Sequence, residues 1–281
     1  MIHPPLTTRA HLTDLILERF REERELLVQS WQENDIPFRH LIIDTLLPGS
    51  SAQEIHEAFP APEAMVLRWG LRERKRIAFQ MDRCKPLLSE IIYAFQDRRL
   101  VQFLSEVTGL ASLEPDPTLY AAGVSLMRRG DFLAPHVDNS HDADRRKYRV
   151  LNLLYYVSPG WRFEDGGNLE LWDQKVRHPK TIPASFNRLI LIETHTDSWH
   201  SVSRVTSDTT RCCVSNYYFS ENSPIGRDYF QITRFTGWPK ERWRCAMLRV
   251  DGILRMGIRR IFPEGLFPTR HIYRKGGEGN Q

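Results

Sequence analysis

The sequence predicts an α+β protein whose core is mainly β, with helical segments at both ends. Between Leu119 and about Glu221, short apolar runs alternate with turn residues. Short strands at such spacing are typical of an all-β sandwich or barrel. The segments on either side instead carry apolar residues at helical spacing. We therefore expect a helical support with short strands (residues 1–118), a β core (119–221) and a basic helical extension (222–281), all in one structural domain.

The amino-terminal support is predicted to contain two long helices. The first covers residues 8–34, because five apolar side chains fall on one face: Leu12, Ile16, Phe20, Leu27 and Trp31. The second runs from Pro86, which suits a first helical turn, to Thr108, with Gly109 as its carboxyl-terminal cap.

Two shorter elements are predicted between these helices. Residues 38–44 are predicted to form a short strand that ends before Pro48-Gly49. Ser51 and Glu54 have the spacing of a capping box, which predicts a helix from there to about Phe59.

The β core contains four clear apolar runs, and turn residues separate them. Its predicted strands cover residues 149–157, 168–172, 188–193 and 211–219. Glycines in the turn Asp165-Gly166-Gly167 allow a tight turn and a close backbone approach.

The carboxyl-terminal extension is basic and predicted to be helical over residues 240–260. Its arginines are Arg242, Arg244, Arg249, Arg255, Arg259 and Arg260. We interpret them as a solvated helix face, and the alternative is a docking surface for an acidic partner. Residues 275–281 have the composition of a disordered tail.

Composition excludes several classes of protein. Of 281 residues, 41% are hydrophobic and 26% charged, as in globular proteins, and no stretch has eighteen consecutive apolar residues. We therefore expect no membrane span, and since the first residues lack the features of a signal peptide we expect a cytoplasmic location.

The net charge of +4 permits acidic partners, but no nucleic-acid-binding module is recognisable. The four cysteines lack the spacing of a metal or iron–sulfur site and are expected to be reduced thiols.

The residues that point to chemistry are His136-Val137-Asp138 and, about sixty positions later, His200. Residues two apart on a strand face the same side, so His136 and Asp138 can contact one metal ion at a strand end. Two imidazoles and one carboxylate form the facial triad that holds Fe(II) and leaves positions open for oxygen chemistry. His-x-Asp by itself is a weak signal, because the pattern is common on protein surfaces.

Arg211 strengthens this interpretation. It opens an apolar run of nine residues, a predicted core strand, where a permanent positive charge is costly unless it is paired. Arginine binds carboxylates in a bidentate fork, so a dicarboxylate ligand is the expected partner.

In the order and spacing of these motifs, the chain resembles the Fe(II)/2-oxoglutarate dioxygenases, and more narrowly their prolyl 4-hydroxylase branch, which includes the hypoxia-factor prolyl hydroxylases. The resemblance covers residues 124–220. It is carried by His136 to Asn139, the run 153–157, Gly166 to Leu169, His200 and Arg211.

This resemblance implies a double-stranded β-helix (jelly-roll) fold with iron at its open end. It implies that His136, Asp138 and His200 bind Fe(II), that 2-oxoglutarate chelates the metal, and that O2 is the second co-substrate, with ascorbate as a further candidate cofactor. Arg211 is then expected to bind the far carboxylate of 2-oxoglutarate, with Tyr156 as a second contact. The implied activity is hydroxylation of an unactivated carbon, with release of succinate and CO2.

The chain departs from this branch at one point. The branch often has a tyrosine about ten residues before the first histidine, but residues 125–130 contain none, so the co-substrate pocket is expected to differ in detail, with Arg128 as a candidate substitute. Asp138 itself favours hydroxylation, because the related halogenases replace this carboxylate with a small residue.

The polar stretch 140–147 is predicted to be a loop over the site rather than a second metal site. Loops of this kind carry substrate contacts, which makes Asn139 and Arg145 candidates for the substrate side. His195 is five residues from His200, which on a straight strand directs it to the other face, so it is left out of the ligand set.

Two other classes of function stay open. The protein could be a jelly-roll binding protein with a vestigial metal site, or a cupin-like enzyme that uses zinc or nickel. The implied substrate is a small molecule, an amino acid or a peptidyl residue, and the basic surface and the charged loop favour an acidic or peptidyl one. The residues do not select among these, and they do not indicate an oligomeric state.

Overall fold

The computed structural model of the protein describes residues 7–120, 122–261 and Tyr273. The helices in this part are α1 (Arg9–Glu22), α2 (Arg24–Glu33), α3 (Gly49–Glu57), α4 (Pro86–Ala94), α5 (Arg98–Thr108) and α6 (Arg242–Ile261). None of these helices is both long enough and apolar enough to cross a membrane.

Thirteen strands are described. They are β1 (His40–Ile43), β2 (Val66–Trp69), β3 (Glu73–Ala78), β4 (Glu114–Pro115), β5 (Gly123–Met127), β6 (Phe132–Val137), β7 (Tyr148–Tyr156), β8 (Leu169–Trp172), β9 (Pro179–Ile182), β10 (Arg188–Glu193), β11 (His200–Val202), β12 (Arg211–Ser220) and β13 (Arg234–Phe235).

All of these strands belong to one antiparallel sheet that curls into a half-barrel. Its order is β1-β10-β7-β12-β5-β3-β6-β11-β8-β9, and β13 pairs with β6, β2 with β3 and β4 with β12. The curl brings side chains of β8, β9 and β11 into one apolar cluster with side chains of β7, β10 and β12. Strands that are far apart in the order of the sheet therefore line the inside of the half-barrel together.

The outer face of the sheet carries the helices. On β7, Leu151, Leu153 and Tyr155 pack into the large core that contains the apolar faces of α1, α4 and α5. The residues between them, such as Asn152 and Leu154, face the inside. This alternation is the period of two that a strand imposes on its side chains, and it separates a packing face from a functional face.

The four strands predicted for the β core are confirmed as β7, β8, β10 and β12, and the predicted strand at residues 38–44 corresponds to β1. Gly109 is confirmed as a carboxyl-terminal cap, with a φ of 71° in the left-handed region. The four cysteines form no disulfide.

The two long amino-terminal helices were predicted wrongly as continuous. The first is broken at Glu23, whose backbone (φ −106°, ψ 13°) leaves the helical region between α1 and α2. The second is broken before Asp97, whose side chain accepts a hydrogen bond from the backbone N–H of Arg99 and so begins α5 as a new helix. Each break leaves the apolar spacing nearly intact, so periodicity alone did not reveal it.

The predicted capping box at Ser51 and Glu54 is also wrong. Helix α3 begins at Gly49, with Pro48 preceding it, and it has no side-chain cap, so Ser51 lies inside the first turn. Proline sets a backbone angle that is compatible with a helix start without any side-chain hydrogen bond.

The hairpin of β2 and β3 was not predicted. Its sequence is dominated by arginine, lysine and glutamate, and this composition hides the period-two pattern. Strand β3 nevertheless fills a central place in the sheet, where it pairs with both β5 and β6. The hairpin therefore brings charged side chains to the mouth of the half-barrel.

Helix α6 is only in part the solvated basic face that the sequence predicted. Arg242 and Arg249 are exposed, but Arg244 is buried, with its guanidinium 5.0 Å from the ring centre of Phe132. Its exposed large apolar side chains are Trp243, Met247, Val250, Ile253, Leu254 and Ile258. The predicted disordered tail (275–281) lies outside the described residues.

Candidate metal centre

Three side chains with metal-binding atoms meet inside the half-barrel. His136 lies near the end of β6, Asp138 directly follows that strand, and His200 opens the adjacent strand β11, where it pairs with His136 in register. The Nε2 atom of His136 lies 3.6 Å from one carboxylate oxygen of Asp138, and the Nε2 atom of His200 lies 3.7 Å from the other. The ligand atoms all lie within 4.8 Å of one another, and this is the one such group in the part of the chain that the structure describes.

Backbone carbonyl groups fix the orientation of both imidazoles. The Nδ1 atom of His136 lies 3.0 Å from the carbonyl oxygen of Ala134, and that of His200 lies 2.9 Å from the carbonyl oxygen of Ser198. Since a carbonyl only accepts, Nδ1 carries the proton and Nε2 presents its lone pair to the shared space. Burial, assisted by the neighbouring His200, lowers the pKa of His136 to about 3, which keeps this imidazole neutral and able to bind a cation.

Asp138 is held by three groups. Asn152 on β7 donates from Nδ2 to its Oδ2 atom (2.7 Å), Nη1 of Arg149 lies 3.4 Å from the same oxygen, and Gln231 donates to its backbone carbonyl (2.9 Å). Burial acts to raise the pKa of Asp138, but the Arg149 guanidinium and the two histidines outweigh it, so that the pKa lies below its ordinary value. The carboxylate is therefore ionised and oriented before any ligand binds.

The three side chains open onto a cavity of about 360 Å³. Its walls come from β3, β5, β7 and β12 on one side and from β6, β8 and β11 on the other. The ring of Phe235 on β13 stacks on His136, with ring centres 5.2 Å apart. A cavity of this size accommodates a small organic ligand.

Arg211 is placed in this cavity at the start of β12 and is 3% exposed. Its guanidinium lies 4.6 Å from the ring centre of Tyr156, and Nη1 contacts the sulfur of Met127 at 3.6 Å. Its Nε atom has no hydrogen-bond partner, and within the described residues no carboxylate forms an ion pair with it. A buried guanidinium without an acidic partner can form an ion pair with an acidic ligand.

The glycine pair before β8 makes room for this arginine. A β-carbon on Gly167 would lie 3.2 Å from the Cδ atom of Arg211. A β-carbon on Gly166 would lie 2.1 Å from the carbonyl oxygen of Arg204, at a φ of 69° that side chains other than glycine rarely adopt. The glycine pair that predicted a tight turn is thus a place beside the cavity where this turn packs closely against the backbone at Arg204 and the side chain of Arg211.

The other predicted site residues are placed as follows. The hydroxyl group of Tyr156 is buried without a partner, but its ring packs against Arg211 rather than lining the cavity. Asn139 lines the cavity, and its side chain donates to the carbonyl of His141. Arg145 lies outside the cavity lining, with its guanidinium 4.8 Å from the ring centre of Phe230. The ligand roles of these residues stay predictions.

Arg128 is directed away from the centre, since it pairs with Glu63 at 3.4 Å. His195 packs edge-on against Phe38, with ring centres 5.9 Å apart, and is not part of the ligand group, as expected from its spacing.

Several residues around the centre were not anticipated from the sequence. They are Arg68, Arg72, Glu73 and Lys75 of the hairpin, Arg149 and Asn152 of β7, Phe235 of β13 and Arg255 of α6. Only Asn152 carried a usable signal, because a polar side chain at the inward position of an apolar strand needs a polar partner. The others come from segments whose position beside the metal ligands depends on the tertiary fold.

Comparison with known proteins agrees with this geometry. Residues 122–219 match the family model described as the 2OG-Fe(II) oxygenase superfamily. Over 97 residues the chain is 31% identical to the Mus musculus protein named Prolyl 3-hydroxylase OGFOD1. The match covers 32% of this chain and 18% of that relative, so the chain spans less than one fifth of its length.

Two solved structures have a similar fold. A prolyl-4-hydroxylase of Pseudomonas putida matches with a TM-score of 0.51 at 16% identity, over 69% of this chain and 98% of the other. A prolyl 4-hydroxylase of Phytophthora capsici matches with a TM-score of 0.52 at 17% identity, over 93% of this chain and 82% of the other. The predicted double-stranded β-helix fold is thereby confirmed.

The residues present fit the cofactors that this superfamily uses, which are Fe(II), 2-oxoglutarate and O2. Two imidazoles, each with its Nδ1 atom beside a backbone carbonyl, and one carboxylate on one face form a donor set for Fe(II). The unsatisfied, buried guanidinium of Arg211 in the same cavity fits a dicarboxylate.

Proposed function

We propose that this chain, whose residues 122–219 belong to the 2OG-Fe(II) oxygenase superfamily, is an Fe(II)- and 2-oxoglutarate-dependent dioxygenase that hydroxylates a carbon of its substrate. The observation that carries the proposal is the convergence of His136, Asp138 and His200 within 4.8 Å inside a cavity that also holds a buried arginine without an acidic partner. A binding protein with a vestigial site has no need to keep all four groups oriented.

His136, Asp138 and His200 would hold the metal, and the chain supplies their orientation. The backbone carbonyls keep both Nε2 atoms aimed at the shared point, while Asn152 and Arg149 hold the carboxylate. When bound, Fe(II) with 2-oxoglutarate supplies the oxygen-activating chemistry, which belongs to the cofactors rather than to any side chain.

Arg211 would bind the far carboxylate of 2-oxoglutarate. Its side chain is rigid because Tyr156, Met127 and the backbone at Gly167 surround it. A guanidinium held in this way binds a carboxylate without losing much side-chain freedom. The buried hydroxyl of Tyr156 is the proposed second contact.

The substrate would enter from the mouth, on the side of the hairpin and Asn139. We propose a small molecule, an amino acid or a peptidyl residue as substrate, and the names of the mouse and bacterial relatives favour a prolyl-like ring or its neighbours. The presence of Asp138 as a ligand favours hydroxylation over halogenation. The expected cytoplasmic location and a role for Arg145 belong to the same proposal.

The test is turnover of 2-oxoglutarate to succinate with and without Fe(II), measured while amino acids, peptides and carrier-bound intermediates are screened as substrates. His136→Ala and Asp138→Ala are expected to abolish Fe(II)-dependent succinate formation with an unchanged circular dichroism spectrum. His178→Ala is the matched control, because His178 is exposed and lies outside the cavity. Wild-type turnover in either ligand variant would refute the facial triad.

The two alternative classes give different results in the same experiments. A non-catalytic jelly-roll protein would bind ligands without forming succinate. An enzyme that uses zinc or nickel would retain that metal on anaerobic purification and would gain no activity from Fe(II).

A further inference from the structure

The cavity carries more positive charge than the proposed cofactors can neutralise. Its cationic lining residues among those described are Arg68, Arg72, Lys75, Arg149, Arg211 and Arg255, whereas its acidic lining residues are Glu73 and Asp138. Asp251 adds one further acid beside the lining, where it pairs with both Arg72 and Arg255.

The cofactor half of the site is neutral when it is filled. The charge of a metal dication and the Arg211 guanidinium is balanced by Asp138 and a 2-oxoglutarate dianion. Of the remaining five cations, Arg149 lies 3.4 Å from the Asp138 carboxylate already counted, and the only further acidic groups beside them in the described residues are Glu73, which pairs with Lys75 at 3.1 Å, and Asp251. Five cations against two further carboxylates leave a net charge of +3 in the substrate half, although most of these cations have an ion-pair partner. Net charge that stays uncompensated in a partly desolvated cavity is costly.

One of these charges is buried next to the metal ligands. Arg149 is 1% exposed, and its guanidinium stacks on Tyr217 at 4.0 Å from the ring centre. Only Nη1 approaches Asp138, while Nε and Nη2 have no hydrogen-bond partner. Arg149 therefore lines the cavity as a buried cation whose hydrogen-bonding capacity the described residues use only in part.

A second positive charge, without an ion-pair partner in the described part of the chain, lies at the mouth. Arg68, on β2, is half-buried, and its side chain forms neither a hydrogen bond nor an ion pair with the residues that the structure describes. It lines both this cavity and an adjoining groove between the hairpin and α6, which places it at the entrance. Its nearest acidic neighbour in the lining, Glu73, is already paired with Lys75.

From this charge distribution we infer that the substrate carries an oxyanion, a carboxylate, phosphate or sulfate group, which Arg149 and Arg68 bind. The inference rests on the proposed function, because it assigns Arg211 to 2-oxoglutarate and leaves the other cations to the substrate. An oxyanion is attracted to the mouth by Arg68 and is stabilised inside the cavity by the positive charge of Arg149 in its wall. Neutral analogues leave both guanidinium groups unsatisfied and bind less tightly.

The test is isothermal titration calorimetry on the anaerobic holoenzyme, saturated with Fe(II) and 2-oxoglutarate. The probes are two matched pairs, phenyl phosphate with phenol and hippurate with hippuramide, so that phosphate and carboxylate recognition are separated. We expect at least one anionic probe to bind about tenfold more tightly than its neutral partner, as a charge-assisted contact allows.

The protein variants are Arg68→Gln, Arg149→Lys and the control Arg98→Gln. Arg149→Lys keeps the positive charge beside Asp138 but loses the planar fork, and Arg98 is exposed and far from the cavity lining. We expect the anionic preference to fall at least threefold in Arg68→Gln or Arg149→Lys and to stay unchanged in Arg98→Gln. Affinity for 2-oxoglutarate should be unchanged in Arg98→Gln.

Equal binding of both members of each pair to the wild type would overturn the inference, and so would a preference that survives in both cavity variants. Failure of the proposed function has a different signature, since the wild type would then show no Fe(II)-dependent binding of 2-oxoglutarate.

Discussion

Replacement of Arg211 by alanine tests the co-substrate site most directly. The side chain is 3% exposed, has an unsatisfied Nε atom and forms no ion pair within the described part of the chain. The substitution thus removes a charge that no protein carboxylate compensates. We expect the fold to tolerate it, because no acidic partner is left buried and unpaired.

The magnitude follows from the contact that is lost. A hydrogen bond to a charged group contributes about 1.5–3 kcal/mol. Its loss should therefore raise the Kd of 2-oxoglutarate by about 10- to 150-fold. Arg211→Lys should fall between wild type and alanine, because lysine keeps the charge but cannot form the bidentate fork.

The assay is calorimetric titration of anaerobic, Fe(II)-loaded protein with 2-oxoglutarate. Arg98→Ala serves as the matched control for the removal of an arginine far from the cavity lining. Urea denaturation of each variant separates loss of binding from loss of fold. An unchanged Kd for 2-oxoglutarate in a folded Arg211→Ala protein would refute the assignment of this residue.

Three further predictions concern the metal ligands and the turn beside them. Asn152→Ala removes the hydrogen bond to the Asp138 carboxylate, and we expect a loss of about 10- to 100-fold in Fe(II) affinity by competition with a metal-binding dye; unaltered affinity would contradict this role. In the metal-free protein, folding lowers the pKa of His136 from 6.5 to about 3, so below pH 6.5 the unfolded chain binds a proton that the folded chain does not, and stability is lost as pH falls from about 6.5 towards 3. The unfolding temperature of the wild type should therefore decrease more steeply between pH 7 and pH 5 than that of His136→Ala. Parallel curves for the two proteins would count against this prediction. Gly166→Ala should lower the free energy of unfolding, measured in urea, by about 1–3 kcal/mol, and by more than Gly160→Ala does. Both glycines have a positive φ, but a β-carbon at Gly160 would meet no neighbouring atom. Equal losses in the two variants would show that the close backbone contact at Gly166 does not matter.

The sequence by itself determined which residues can carry the chemistry and which segments form the inner strands. The His-x-Asp pair at a strand end, the second histidine and the arginine at the start of an apolar run are local patterns. Because side-chain direction alternates along a strand, the sequence alone predicts that His136 and Asp138 lie on one face. The segments that form β7, β8, β10 and β12 are equally recognisable in the sequence, since short runs dominated by apolar residues require burial.

Only the tertiary structure decided how distant segments meet. Pairing of β11 with β6 sets His200 opposite His136, and no local pattern specifies that register. The charged hairpin enters the sheet because β3 pairs with β5 and β6, although its composition resembles a surface segment. Arg149 is a buried cation beside Asp138 only because the sheet curls around it, and a residue's electrostatic environment is a property of the folded cavity rather than of its neighbours in sequence.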